Sequence, residues 1–457
     1  MPKRRQQNHI RRILTFILLI LTLLGCALLD PPTLFVPTPF PTAPPLPSPS
    51  AGQAPVTDPV SNVVPDIDPD IATLVNAVSQ QQLTAYVKAL EDFGTRSAFS
   101  TTEDPAFGIG AARKWITDEF QRVGELSNGR LRVEINEFTM DYEGFNLGQQ
   151  NVVATLPGTT QNSDVIILMA HYDTRTVDLT DGASRAPGAN DNGSGVALLI
   201  ETARLLSPRT WNQTIVFAAL AAEEQGTFGA KDLVNRAIRE DWNVIAAINY
   251  DTVGGRPDIP RSIRLFALDT PNAQTDELAR FYQYIGGLYV PTMPITIINE
   301  LDREGRFGDQ REFIQAGLPG IRLTESIEDP QYINSTRDIW SVIDYDYLQQ
   351  VTQLNVALVA NMAGAPPRPL SPTIVKMEND GAYWLTWPPD PQAAGYAISF
   401  RPLDSNSYPT FRFVNSSQAG NIVLTGIDNT QIYAVSMAAI DENRRISLFS
   451  PEVIIAP

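Results

Sequence analysis

Cysteine is nearly absent from this chain of 457 residues. The single example, Cys26, cannot form an intramolecular disulfide, so no covalent cross-link holds the fold. Histidine is almost as scarce. There are two, His9 and His171, and His9 lies in a basic N-terminal segment. If that segment is removed, one histidine remains, which excludes any zinc site built from several histidines. Positive charge is in deficit as well. Lys and Arg number 34 against 51 Asp and Glu, for a net charge of −17. Lys3, Arg4, Arg5, Arg11 and Arg12 all fall near the N-terminus, so the body is more acidic still. Such a body has no electrostatic footprint for nucleic acid. The N-terminal apolar run, Ile13 to Leu24, is broken only by Thr15 and Thr22. Its helical reach of about 18 Å falls short of the ~30 Å hydrocarbon core of a bilayer.

A basic segment followed by a short apolar run is the layout of an export leader. It ends in Leu23-Leu24-Gly25-Cys26, which resembles the lipobox of bacterial lipoproteins. The resemblance implies cleavage before Cys26, a lipid on that cysteine, and an extracytoplasmic protein anchored to a membrane. After it, 13 of the 36 prolines fall between Pro31 and Pro69, and no Lys or Arg occurs from Ala27 to Val87. Proline at that density favours extended polyproline II. The expected organisation is a leader over 1–26, a tether over 27–70, a main folded body over 71–364, a linker over 365–372 and a β module over 373–457.

In the body, apolar runs alternate with stretches of helical spacing. Asn151 to Leu156, Val165 to Ala170, Thr214 to Leu220, Val244 to Ile248 and Gly320 to Leu323 read as strands buried on both faces. Val196–Leu206, Phe228–Arg239, Asp276–Tyr284 and Tyr347–Met362 read as helices. That alternation predicts an α/β fold with a mostly parallel central sheet flanked by helices. Ligands of such sheets bind beyond the carboxyl ends of the strands.

The unusual residues sit at those ends. The first long apolar strand runs into His171-Tyr172-Asp173, the next into Glu223-Glu224, and the third into Asn249-Tyr250-Asp251. A glycine-rich turn, Gly188 to Val196, opens a helix and carries Asp191. One histidine and several carboxylates therefore converge on one sheet edge. Carboxylates gathered alone repel one another, and a divalent cation relieves that repulsion. With 51 acids in the chain, solvated loop acids are the bland alternative.

These residues resemble the M28 family of zinc aminopeptidases over about residues 75–364. Gly188–Val196 is close to the family's G-A-x-D-N-G-S-G-V. His171-Tyr172-Asp173 matches its H-x-D, Glu223-Glu224-Gln225-Gly226 its acidic pair before Gly, and Asp251-Thr252-Val253-Gly254 its D-x-x-G. The resemblance implies two zinc ions bridged by Asp191. His171 and Asp251 would complete the first site and Glu224 would serve the second. Glu223 would be the general base for a metal-activated water, and Asp173 would orient His171. Peptides with free N-termini would be the substrates. Two departures bear on activity. Family members often carry Ser-Asp-His before a Phe, and here Gly308-Asp309-Gln310 precedes Phe313. The family's last metal ligand is a histidine, and Asn334 stands in its place within Tyr332-Ile333-Asn334-Ser335-Thr336-Arg337-Asp338. An uncharged oxygen is a poorer zinc ligand than imidazole. With Asn334 the second site is expected to be weakly filled or filled by another divalent metal, unless Glu325 or Glu328 reaches in. A binding protein on the same fold, with impaired catalysis, is the alternative reading.

Beyond Pro372 the pattern changes to short strands with turn signals, including Tyr383–Trp387, Tyr396–Arg401 and Tyr433–Ala439. An all-β sandwich is expected. Trp387, Tyr396 and Tyr433 resemble positions of a fibronectin type III domain.

Overall fold

The computed structural model describes residues 54–160, 163–267, 273–300, 308–378 and 381–456. The leader, Cys26 and the first part of the tether lie outside the described residues. The chain begins with a short strand β1 (Val56–Thr57) and helices α1 (Pro69–Asn76), α2 (Gln80–Asp92) and α3 (Gly108–Leu126). A hairpin follows, β2 (Arg132–Tyr142) and β3 (Phe145–Leu156). Then come β4 (Val165–His171), α4 (Gly195–Leu206), β5 (Thr214–Leu220), α5 (Phe228–Arg239) and β6 (Val244–Tyr250). They are followed by β7 (Ile263–Phe266), α6 (Ala273–Tyr289), β8 (Ile295–Ile298), α7 (Gln310–Gln315), β9 (Gly320–Glu325) and α8 (Tyr345–Gly364). The C-terminal strands are β10 (Thr373–Lys376), β11 (Tyr383–Thr386), β12 (Gly395–Pro402), β13 (Arg412–Asn415), β14 (Asn421–Leu424), β15 (Tyr433–Ile440) and β16 (Val453–Ile455).

Eight strands form one sheet in the order β2-β3-β5-β4-β6-β9-β7-β8. The central run β5-β4-β6-β9 is parallel, as expected, while β3 pairs antiparallel with β5 and β7 antiparallel with β9. Every residue of β4 is buried. Its side chains alternate between two cores, as the period of a strand requires. Ile166, Leu168 and Ala170 face a core shared with α2, α3, α4, α6 and α8. Val165, Ile167 and Met169 face a smaller core with α5 and Phe313 of α7. Because β5, β4, β6 and β9 run the same way, their carboxyl ends share one edge.

The C-terminal strands make two sheets, β1-β14-β11-β10 and β13-β12-β15-β16, around a core of Tyr383, Leu385, Trp387, Tyr396 and Val435. Trp387 meets Tyr396 edge-on with ring centres 5.3 Å apart, and Tyr433 packs edge-on against Phe400 at 6.1 Å. The outer face of this sandwich joins the core of the α/β body. Phe411, Ala438, Ile440 and Phe449 belong to the same apolar cluster as α6 and α8. Tyr284 of α6 meets Phe411 at 5.3 Å, and Asn361 of α8 donates to the Ile446 carbonyl at 2.8 Å.

A free tether over the whole of 27–70 does not hold for its described end. Val56 and Thr57 pair with Ile422 and Val423, extending the open edge of a C-terminal sheet. Arg444 donates to the carbonyls of Asn62 and Val64, and Arg445 pairs with Asp68 at 2.6 Å. The physical reason is that proline bars a central strand, yet an edge strand needs hydrogen bonds on one side only. The 365–372 linker is likewise anchored at its start, where the Asn212 amide donates to the carbonyls of Gly364 and Ala365.

Candidate active site

Strand ends bring the chemistry together. β4 ends on His171, β5 turns through Ala221-Ala222 into Glu223 and Glu224, and β6 delivers Asp251. The turn before α4 carries Asp191. His171 Nε2 lies 3.2 Å from Asp191 Oδ1 and 3.7 Å from Asp251 Oδ1. All three side chains are buried, and among the described residues they form the group whose ligand atoms all lie within 4.8 Å of one another. Tetrahedral ligands ~2.1 Å from an ion lie roughly 3.4 Å apart. One imidazole nitrogen and two carboxylate oxygens at the observed spacing therefore fit one zinc ion with a position left open.

The turn bearing Asp191 is fastened on every side. Gly188 adopts φ +51, and a Cβ there would lie 2.2 Å from Thr174. A Cβ on Gly195 would meet the Tyr250 carbonyl at 2.4 Å, so α4 starts against β6 only without a side chain. Asn192 donates to the Tyr250 carbonyl at 2.7 Å. The Asp338 carboxylate accepts the N–H groups of Asn190 at 2.8 Å and Asp191 at 2.9 Å. Arg96, fully buried, donates to the carbonyls of Leu90, Tyr172, Pro187 and Gly188. Ala222, Thr252 and Asn334 hold left-handed backbone at φ +58, +60 and +56. Such strain in residues other than glycine gathers at functional sites.

Charge dominates the electrostatics. Burial opposes protonation of His171, but Asp173, Asp191 and Asp251 outweigh it and hold its pKa well above the ordinary range. Burial raises Glu223 well above the usual carboxylate range, with His171 opposing and Asp309, Glu224 and Asp251 adding to the rise. Asp309 is fully buried, neither of its oxygens has a hydrogen-bond partner, and burial pushes its pKa up to about 8. These groups are arranged for a cation.

Asp173 does more than orient the histidine. His171 Nδ1 lies 3.2 Å from the Asp173 backbone oxygen and 3.7 Å from its carboxylate. That carboxylate instead accepts the N–H groups of Glu223 and Glu224, at 3.1 and 3.2 Å. Glu224 faces Arg175, whose Nε donates to its Oε2 at 2.6 Å. With its amide turned to satisfy both neighbours, Asn334 donates to Glu224 Oε1 at 2.8 Å and accepts from Arg175 Nη2 at 3.0 Å.

Residues 151–359 match the model of peptidase family M28. A probable zinc metalloprotease of Leptosphaeria maculans is 31% identical over 418 residues, an alignment covering 83% of this chain and 96% of that protein. The chain belongs to peptidase family M28. A second probable zinc metalloprotease, from Pyricularia oryzae, is 31% identical over 404 residues, covering 78% of this chain and 80% of the relative. Among solved structures, the LapA aminopeptidase of Legionella pneumophila superposes with a TM-score of 0.52 at 20% identity, over 65% of this chain and 75% of that one. An aminopeptidase from Aneurinibacillus sp. gives 0.51 at 15% identity, over 64% of this chain and 96% of that one. At these identities the structures share the fold.

As an M28 metallopeptidase, the chain has a first metal position that its residues fit. The second, expected from Asp191, Glu224 and Asn334, does not match its donors. Both oxygens of Glu224 are engaged, and a guanidinium occupies its face. The possible substitutes do not reach in. Glu325 accepts from Asn190 and the Gly255 N–H, and Glu328 pairs with Arg264. The sequence reading passed over Arg175, Arg322 and the supporting role of Asp338. Arg322 Nε lies 3.0 Å from Asp251 Oδ2 and holds the side of that carboxylate turned from His171. A groove of about 960 Å³, lined by Arg132, Thr214 and Trp242 among others, lies at the opposite end of the strands, and among the described residues it holds no metal-ligand cluster.

Proposed function

We propose that this protein is a zinc-dependent exopeptidase of the aminopeptidase type. The observation that carries the reading is the buried His171–Asp191–Asp251 group with Glu223 beside it at the sheet edge. His171, Asp191 and Asp251 would hold the ion. Zinc there supplies Lewis acidity, which polarises a peptide carbonyl and makes water acidic. Glu223 is half-buried beside this group. It takes the proton of the attacking water and returns it to the leaving amine. Asp173 holds the backbone of Glu223 and Glu224 in place. A panel of aminoacyl nitroanilides, run before and after chelation with zinc, manganese or cobalt restored, tests the reading. Turnover that vanishes on chelation and returns with metal supports it. Peptide binding without turnover would favour the catalytically impaired alternative, which Asn334 motivates.

The reading extends to location and modules. The unique Cys26 after a short apolar run supports a lipid-anchored extracytoplasmic protein. The curated relatives named above are fungal, so the anchor rests on the leader alone. No helix among the described residues is long and apolar enough to cross a membrane. Cys26→Ser should release the protein from membranes or leave the precursor unprocessed, and normal processing with full retention would refute the anchor. The strand orders β14-β11-β10 and β13-β12-β15-β16 support a fibronectin type III-like module whose role is packing against the catalytic body.

A further inference from the structure

We infer that Arg175 is the resident second cation of this site, so that the protein holds one metal ion per chain where the sequence resemblance implies two. The inference rests on the reading of His171, Asp191 and Asp251 as ligands. It arises from the residues on the other side of Asp191.

Arg175, Glu224 and Asn334 close a triangle. Arg175 Nε donates to Glu224 Oε2 at 2.6 Å. The Asn334 amide donates to Glu224 Oε1 at 2.8 Å and accepts from Arg175 Nη2 at 3.0 Å. A third contact, Arg175 Nη1 to the Thr176 carbonyl at 3.4 Å, steadies the guanidinium. Every partner in the triangle is matched by chemistry. A planar guanidinium presents donors only, and an ionised carboxylate presents acceptors only. The amide supplies one of each from the same end of the side chain, so a single Asn bonds to both members of an ion pair. Imidazole nitrogens point in diverging directions and cannot close the triangle in this way. Asn334 and Arg175 are therefore a matched pair, and the asparagine is the half visible as a lost histidine. The backbone agrees, since Asn334 sits at φ +56, where asparagine is among the side chains that fit best.

An incoming ion would find both Glu224 oxygens already accepting a hydrogen bond. It would also have to approach a fixed positive charge that already neutralises that carboxylate. Arg keeps its charge at all physiological pH values, so the substitution is permanent and independent of metal supply.

Zinc content after saturation and desalting, with titration calorimetry of the metal-free protein, tests the inference without reference to turnover. One ion per chain is expected in the unmodified protein. Asn334→His alone should still hold one, because Arg175 remains. Arg175→Ala combined with Asn334→His should hold two. Cobalt loading gives an independent readout, an uncoupled paramagnetic signal for one ion and a coupled pair for two. Two ions in the unmodified protein would overturn the inference while leaving the metal reading intact, and no ion would overturn both. One ion in a folded double variant would show that Arg175 is not what excludes the second. Should that variant fail to fold, Arg175→Gln with Asn334→His keeps the bulk of the side chain and the same two outcomes.

Discussion

Asp338 makes no contact with substrate in this reading, yet its replacement by asparagine should weaken metal binding. The side chain is buried, at 1% exposure, and its two oxygens accept the N–H groups of Asn190 and Asp191 at 2.8 and 2.9 Å. Asn keeps one acceptor and turns a donor toward the other N–H. A hydrogen bond to a charged group contributes about 1.5–3 kcal/mol, and a buried orphan N–H costs a similar amount. The lost bond falls on the residue that presents Asp191 to His171. If the turn shifts to recover that bond, Asp191 leaves its place, and the penalty appears as a ~10–100-fold loss of zinc affinity, the range for partners that orient ligands. If the turn stays, the penalty appears as lower stability of the same size. Asp338 also faces the buried Arg96, whose pKa burial lowers to about 10 while Asp338 opposes the drop. Loss of that charge adds to the effect. Chelator competition measures the zinc affinity, and urea unfolding of the metal-free protein measures stability. Wild-type values in both experiments would refute the argument, because the two hydrogen bonds would then carry no weight.

Three further outcomes follow from the same geometry. Glu223→Gln should keep its zinc and lower kcat by ~10²–10⁴, the usual range for a lost general base; loss of zinc from a folded variant would assign Glu223 to metal binding instead. Burial raises the pKa of Glu277 above its ordinary value, against Arg280 and the Tyr408 hydrogen bond. A raised folded pKa stabilises fully below the unfolded value of about 4.3 and is lost as pH rises through the folded one. Glu277→Gln should therefore flatten the decline of unfolding free energy across that window, and urea titrations showing an unchanged slope would count against it. Phe411 touches Tyr284, Tyr408 and Phe449 with ring centres 5.1–5.3 Å apart. Phe411→Ala should cost about 3 kcal/mol and lower one shared calorimetric transition. A separate transition for the β module would contradict a common core.

Legibility in the sequence followed the range of the interactions. The strand β4 could be read because seven residues in a row are buried, and burial on both faces demands an apolar run. His171, Glu223 and Asp251 could be read because they follow such runs, and a parallel sheet sends all those ends to one edge, while Asp191 could be read from the glycine-rich turn that opens α4. The hairpin arm β2 was missed for the opposite reason. Its burial pattern is mostly exposed, so composition leaves it little apolar signal. The docked end of the tether was missed because its partners, Ile422, Arg444 and Arg445, lie more than 350 positions away.

Arg175 shows where local reading stops. It stands two residues beyond Asp173, in a stretch whose motif ends at that aspartate, and arginine in an acidic chain invites no comment. Only the fold brings it to Glu224 and Asn334, residues 49 and 159 positions further along the chain. The sequence did contain a trace of it. With Asn334 where the family places a histidine, a weakly held second ion leaves Glu224 beside Asp191 with less positive charge to separate them, and two neighbouring carboxylates in a low-dielectric site repel. Burial and Asp191 raise the Glu224 pKa above its ordinary value, and Arg175 opposes the rise. A chain that retains both acids must supply a cation from elsewhere. The basic residues on the loops after β4 and β6 include Arg175, Arg185 and Arg256. Arg185 pairs with Glu91 at 2.8 Å and Arg256 with Asp329 at 3.2 Å, while Arg322 of β9 is held by Asp251 at 3.0 Å. Asn334 and Arg175 therefore have to be read together, because both contact Glu224 and the guanidinium supplies the positive charge beside it.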